Sequence, residues 1–358
     1  MDQFHNELGM LDLMTQPAFC VQENRIIKVN PAAAALLIEP DTQIQTLLHT
    51  GAEEYDEFRS GCLYLTLSVG GQPFGASVSR VQDFDVFCME PDGTDPQLQA
   101  LALAARELRE PLGNVLTIAD RLFPEISGDN QKTQEQVSHI NRSLFRMLRI
   151  ISNMSDAGLY AADTGAKQEM RDICAVPDEI FQRASVLTEH TGISLNYNGC
   201  NENIYTLLDA QKLERMIFNI LSNAVKFTPS GGTIDAKLTH RGKKLYLSIL
   251  DSGSGIADQL KGTVFSRYLR QPGMEDGRHG LGLGMVLIRS TAALHGGTVL
   301  IDHPENSGSR ITVSFSIRQN DTTLRSPFFR IDYAGERDHG LLELSDVLPA
   351  HLYNSEKL

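Results

Sequence analysis

Between Leu98 and Gly158 apolar residues recur at alternating steps of three and four, a pattern few folds accept. The first run is Leu98, Leu101, Ala105, Leu108, Leu112, Val115, Ala119 and Leu122. The second is Val137, Ile140, Leu144, Met147, Ile151, Met154 and Gly158. Such a repeat lays an apolar seam along one face of an α-helix. Pro124 to Asn130, with Gly128, reads as a polar loop between the two runs. Residues 93–163 are therefore expected to form an αα-hairpin. Two hairpins side by side bury both seams, so a dimeric four-helix bundle is the expected assembly.

The flanking segments have other rhythms. In residues 1–92, Leu8, Leu11 and Leu13 read as a short helix. Ala18–Val21 and Ile26–Val29 read as strands around a turn at Glu23-Asn24, and Asn30-Pro31 caps a helix over Ala32–Leu37. Strand-like runs follow at Cys62–Ser68, Phe74–Val78 and Phe84–Cys88, with Gly70-Gly71 as a turn. This order, with Ile-Ile-Lys-Val-Asn-Pro-Ala-Ala at the strand-to-helix corner, resembles a PAS sensor domain. No residue there names a ligand; His49 and Cys62 read as packed or solvated side chains. Pro91 to Pro96 reads as a linker. Residues 170–318 mix helical and strand-like runs, as in an α/β sandwich with helices on one face. The expected class is multidomain α+β: PAS-like α/β sensor, helical hairpin and α/β-sandwich domain. The tail, 319–358, carries Phe328, Phe329, Ile331, Tyr333, Leu341, Leu342, Leu344 and Leu348. These are too many for a plain solvated tail, and its role is left open between docking on the body and on a partner.

Composition removes some classes of function. With 358 residues and 41% hydrophobic content the chain can build several cores. A net charge of −13 argues against direct binding to nucleic acid or an anionic membrane. No run approaches the roughly 20 apolar residues of a spanning helix, and the N-terminus lacks a basic segment followed by an apolar one. A cytoplasmic protein is expected. The five cysteines, Cys20, Cys62, Cys88, Cys174 and Cys200, form no C-x-x-C pair and are expected to be buried free thiols.

The chemistry-bearing residues lie between Asp209 and Gly297. Asn219 and Asn223 fall one turn apart on a helix, so both carboxamides leave the same face. A carboxamide oxygen is a neutral, hard ligand for Mg²⁺ already held by phosphates, and Lys226 stands near enough to meet phosphate charge. Asp251 ends a strand before Gly253 and Gly255, where an acceptor-only carboxylate can take the exocyclic amino hydrogens of adenine. Those glycines let backbone approach a planar base closely. Gly280, Gly282 and Gly284 precede a helix whose N-terminus can cradle phosphate. Singly these signals are weak; their order and spacing describe an ATP site.

Residues 94–317 resemble the catalytic half of a sensor histidine kinase, with an ATP portion like the Bergerat-type fold of DNA gyrase and MutL. Asn-Ile-Leu-Ser-Asn-Ala-Val-Lys-Phe-Thr-Pro resembles the family's N box. Asp-Ser-Gly-Ser-Gly-Ile resembles its first glycine box, Val-Phe-Ser-Arg-Tyr its aromatic box and Gly-Leu-Gly-Leu-Gly-Met-Val its second glycine box. The resemblance implies Mg–ATP, with Asn223 on the metal, Asn219 and Lys226 near the phosphates and Asp251 on adenine. Ile256, Leu281 and Leu283 join Gly253, Gly255, Gly280, Gly282 and Gly284 in the binding loops. In the ATPase relatives a Glu general base takes the place of Asn219. An amide cannot take a proton at neutral pH, so rapid ATP hydrolysis is not expected. Gly273 and Gly277 can hinge a short lid between Tyr268 and Gly280.

One departure changes the expected function. Ala104-Ala-Arg-Glu-Leu-Arg-Glu-Pro-Leu112 aligns with the family's Ser-His-Glu-Leu-Arg-Thr-Pro-Leu. Arg106, followed by Glu107, takes the acceptor position, and a guanidinium has no lone pair to attack a γ-phosphate. Glu110 takes the place of a Thr that the family uses to orient water, and its carboxylate would repel an acyl phosphate. His139 reads as a solvated side chain rather than a substitute acceptor. The resemblance thus implies an ATP-binding regulatory homologue without self-phosphorylation, homodimeric or paired with a kinase homologue, with a response regulator as a further partner. The alternative is a kinase acting in trans on a partner's His or Ser.

Overall fold

The computed structural model describes residues 11–81, 83–90, 96–127, 130–161, 168–255, 264–265, 282–304, 308–318 and 337–354. Its N-terminal part contains β1 (Ala18–Gln22), β2 (Arg25–Val29), α1 (Pro31–Ala35), β3 (Leu48–Thr50), α2 (Ala52–Glu57), β4 (Cys62–Val69), β5 (Gln72–Val81) and β6 (Phe84–Met89). Glu23 and Asn24 both take positive φ at the β1–β2 turn, the backbone a two-residue hairpin needs. Asn30 caps α1 as its position before Pro31 predicts: its Oδ1 accepts from the Ala33 amide (2.8 Å). The same oxygen accepts from the Ala18 amide (3.0 Å), tying the corner to β1. The expected helix over Leu8–Leu13 is instead one 3₁₀ turn at Leu11–Leu13, its first residues lying outside the described ones.

The hairpin consists of α3 (Pro96–Ser127) and α4 (Gln131–Ala161). Contrary to expectation, α3 continues through Pro124 to Ser127, and Asn130, just before α4, accepts from the Lys132 amide (3.0 Å). The seam of α3 divides into two lines. Leu98, Ala105, Leu112 and Ala119 are buried, whereas Leu108, Val115 and Leu122 are exposed. On α4, Val137, Leu144 and Ile151 are buried, while Ile140 and Met147 are exposed. The buried lines join the two helices; the exposed ones leave an apolar strip on the hairpin.

The C-terminal part runs β7 (Glu169–Asp172), α5 (Ala175–Glu189), β8 (Ser194–Asn198), β9 (Tyr205–Leu208), α6 (Ala210–Phe227), β10 (Thr233–Arg241), β11 (Lys244–Asp251), α7 (Gly284–Leu294), β12 (Val299–Asp302), β13 (Arg310–Ser316) and α8 (His339–Glu343). Apart from the short antiparallel β7–β9 pair, the strands form one sheet in the order β2-β1-β6-β5-β4-β12-β13-β11-β10-β8, with β3 paired to β4 beside that path. All neighbours are antiparallel except β8 and β10. The two parts of the chain meet in that sheet, where β4 pairs with β12 and Val299 faces Tyr64. Lys244 of β11 also reaches the Glu54 carboxylate of α2 (2.7 Å).

The expectation of five free thiols is corrected. Cys174 and Cys200 form a disulfide, while Cys20, Cys62 and Cys88 remain free. Packing of α5 on β8 brings the two Cα atoms to 5.9 Å, within bridging reach. Their separation of 26 residues hides this proximity in the sequence. Among the described residues, no helix is long and apolar enough to cross a membrane.

Candidate functional site: a nucleotide pocket around α6

Helix α6 positions the first group of candidate residues. Asp209 caps it, accepting from the Lys212 amide (3.1 Å), and His295 Nε2 accepts from the Asp209 amide (3.0 Å). His295 Nδ1 lies 2.7 Å from the Thr291 carbonyl oxygen, so the ring is a neutral tautomer that donates at one nitrogen and accepts at the other. Burial lowers its pKa to about 4. Leu213, Met216, Ile217, Phe218, Ile220 and Leu221 lock α6 into the core.

Asn219 is buried and Asn223 half-buried. The Asn219 amide nitrogen donates to the Arg215 carbonyl (2.8 Å). Its Oδ1 accepts from Arg149 Nη2 of α4 (3.5 Å), and Arg149 Nη1 donates to Ser222 Oγ (3.2 Å). Lys226 is half-buried, its ammonium 5.3 Å from the Phe227 ring centroid.

Asp251 ends β11 buried in a ring of backbone. Its Oδ1 accepts from the amides of Gly253 (2.8 Å) and Ser309 (3.2 Å). Burial raises its carboxyl above the usual range, against the lowering effect of those amides and of His303. The glycines fit because side chains do not: a Cβ on Gly253 would stand 2.5 Å from the Phe227 carbonyl oxygen, and one on Gly308 2.2 Å from Asp251 Oδ1. Gly255 and Gly282 take positive φ. Gly284 opens α7 with its Cβ position 3.3 Å from Asn219 Oδ1.

The end of α6, the loop after Asp251 and the start of α7 therefore converge. Asn219, Asn223, Lys226, Asp251, Gly253, Gly255, Gly282, Leu283 and Gly284 occupy these three elements. Ile256, Gly280, Leu281 and the expected lid hinges Gly273 and Gly277 lie outside the described residues. Arg106, Glu107 and Glu110 are exposed on α3, and His139 is exposed on α4. Sequence reasoning placed Gly308 and Ser309 in the family pattern Gly-Ser-Arg-Ile-Thr-Val but not among the site residues, and they close over Asp251 from the β12–β13 loop. It also missed Arg149, whose place on a heptad helix carries no signal pointing to α6.

Residues 208–319 match HATPase_c, the family described as histidine kinase-, DNA gyrase B-, and HSP90-like ATPase. Histidine kinase P4 of Formosa agariphila is 28% identical over 226 residues. This chain carries a HATPase_c domain and is similar in sequence to histidine kinases. The match to that relative covers 62% of this chain but 16% of the relative. The adaptive-response sensory kinase SasA of Rippkaea orientalis is also 28% identical over 226 residues, covering 58% of this chain and 55% of SasA. The chain thus spans a small part of the first relative and about half of the second. Among solved structures, full-length ShkA in complex with AMPPNP superposes with a TM-score of 0.50 at 23% identity, over 62% of this chain and 46% of ShkA. That likeness is one of fold. The histidine-kinase fold accounts for the hairpin, the sandwich and the placing of α6 beside the glycine loops.

Proposed function

We propose that this histidine kinase homologue binds Mg–ATP at the α6 pocket and acts in two-component signalling as a dimeric regulator that does not phosphorylate itself. The observation that carries the reading is the pairing of an assembled pocket with an exposed Arg106 at the acceptor position of α3. Asn223 would hold the metal, Asn219 and Lys226 would meet the phosphates, and Asp251 would take the adenine amino group through the oxygen not engaged by Gly253 and Ser309. The glycine positions support a bound nucleotide, since a Cβ at Gly253 or Gly308 would crowd the Asp251 acceptor. Bound ATP supplies a transferable phosphoryl group, but an Arg106 guanidinium has no lone pair to receive it. The strand order β2-β1-β6-β5-β4 supports a PAS-like sensor in residues 1–92, and the exposed hairpin strip supports a homodimer or a pairing with a kinase homologue. A response regulator fits as the further partner. A kinase acting in trans on His or Ser is the second reading, favoured by the same pocket.

Calorimetry with a non-hydrolysable ATP analogue and Mg²⁺ tests the pocket. Wild type is expected to bind, and Asp251→Asn and Asn223→Asp to weaken binding at least about 10-fold, or 1.4 kcal/mol. Unchanged affinity in both variants would remove these residues from the site.

A further inference from the structure

The C-terminal segment docks on the body with unusual thoroughness. Leu341, Leu342, Leu344, Leu348 and Tyr353 are buried in the same core as α4 and α6. Gly340 is pressed so closely between α5 and α6 that a Cβ there would stand 2.5 Å from Leu187 and 3.6 Å from Phe218. Tyr353 meets Phe145 of α4 edge-on, with ring centroids 5.2 Å apart.

Polar contacts follow one stripe of α4. Asn141 donates to the Tyr353 carbonyl (3.1 Å) and Arg142 to the Ser345 carbonyl (3.1 Å). Arg146 and Arg149 hold the two carboxylate oxygens of Asp346 at 2.7 and 2.8 Å. Glu343, fully buried, lies between Arg149 of α4 (3.4 Å) and Arg215 of α6 (3.0 Å). Arg215 in turn meets Asp156 and Asn153 of α4. His339 pairs with Glu214 of α6 (2.8 Å), and Arg337 with Asp120 of α3 (2.8 Å).

We propose that residues 337–353 are an intramolecular latch: Glu343 and Asp346 clasp the hairpin to α6 and, through Arg149, restrain nucleotide binding. Arg149 carries the restraint because the guanidinium held by Asp346 and Glu343 also donates to Asn219 Oδ1. With Nδ2 committed to the Arg215 carbonyl, both ends of the Asn219 carboxamide are engaged by protein while the latch is closed. A nucleotide that draws on Asn219 competes with that arrangement. By linkage the latch and the nucleotide then weaken each other by the same factor. This inference rests on the nucleotide reading for its ligand, whereas the latch itself is testable without one.

The test uses the full chain carrying Asp346→Asn, a peripheral change that leaves the buried Glu343 in place, with Glu343→Gln as the stronger variant. Amide hydrogen exchange is measured without nucleotide, and affinity for the non-hydrolysable ATP analogue by calorimetry. In Asp346→Asn, exchange in 337–353 and α6 is expected to accelerate at least about 10-fold, with β10 and β11 unchanged, and analogue affinity to rise at least about 3-fold. Saturating the wild type with the analogue should also accelerate exchange in 337–353. Unchanged exchange in the folded Asp346→Asn protein would overturn the latch, and unchanged or weakened affinity would overturn its restraint on nucleotide. Failure of the wild type to bind the analogue would defeat the nucleotide reading instead, and the nucleotide-free exchange comparison would still decide the latch.

Discussion

Asp251 and His295 show two uses of burial. Asp251 holds its carboxyl against backbone amides in a place where water is scarce, which raises its pKa and keeps a strong acceptor pointed by fixed donors. His295 is kept neutral to receive the amide of Asp209 at the start of α6. Its folded pKa of about 4 lies below its ordinary 6.5. Between those values the unfolded chain binds the proton and the folded chain does not. The stabilisation is therefore complete above pH 6.5 and is lost as pH falls towards 4, by about 3 kcal/mol in all. Urea unfolding across this range should show wild-type stability falling more steeply with acid than that of His295→Gln. Parallel pH profiles would contradict the assignment. At this scale the Asn30 cap, the placing of Asn219 and Asn223 on one helix and of Asp251 at a strand end were legible; the Asp209 cap was not read from the sequence. Arg149 was not legible, because it reaches the pocket from a helix whose heptad pattern says only hairpin, and Ser309 reaches it from the loop between β12 and β13.

At the scale of elements, the two heptad runs announced the hairpin, yet the repeat could not say that its members face two ways. Leu98, Ala105, Leu112 and Ala119 meet α4, while Leu108 and Val115, each 49% exposed, face outward. An apolar strip on paired helices is buried by a second copy in a four-helix bundle. Leu108→Glu with Val115→Glu places carboxylates in that interface and should weaken dimerisation at least about 100-fold. Sedimentation at micromolar concentration reads the result: a dimeric wild type and monomeric variant are expected, and a monomeric wild type would contradict the bundle. Other elements escaped the sequence for local reasons. Glu169–Asp172 has no apolar alternation and becomes β7 only by pairing with β9. Ala52–Glu57 is too short and acidic to show a helical period. The polar sequence after Pro124 hid the last turn of α3.

At the scale of the whole molecule, the N-terminal sheet and the ATPase-family sheet are one. Pairing of β4 with β12 is a contact between sheet edges distant in sequence, and no periodicity foretells it. Arg289 of α7 strengthens the junction, with its guanidinium 5.3 Å from the Tyr64 ring centroid and an ion pair to Glu90. Tyr64 also packs on Phe265, ring centroids 5.6 Å apart. The N-terminal sheet thus touches α7, whose first turn lies beside Asn219, through packed side chains. Residues 337–353 instead join α6 to α4. Among the described residues, α4, α5, α7 and residues 337–353 pack around α6, while α3 presents an exposed Arg106. Incubation with γ-labelled ATP and Mg²⁺, wild type beside Arg106→His, tests this most directly. No acid-labile label is expected on the wild type, and label is expected on the Arg106→His protein. Acid-labile label on the wild type would contradict the loss of self-phosphorylation.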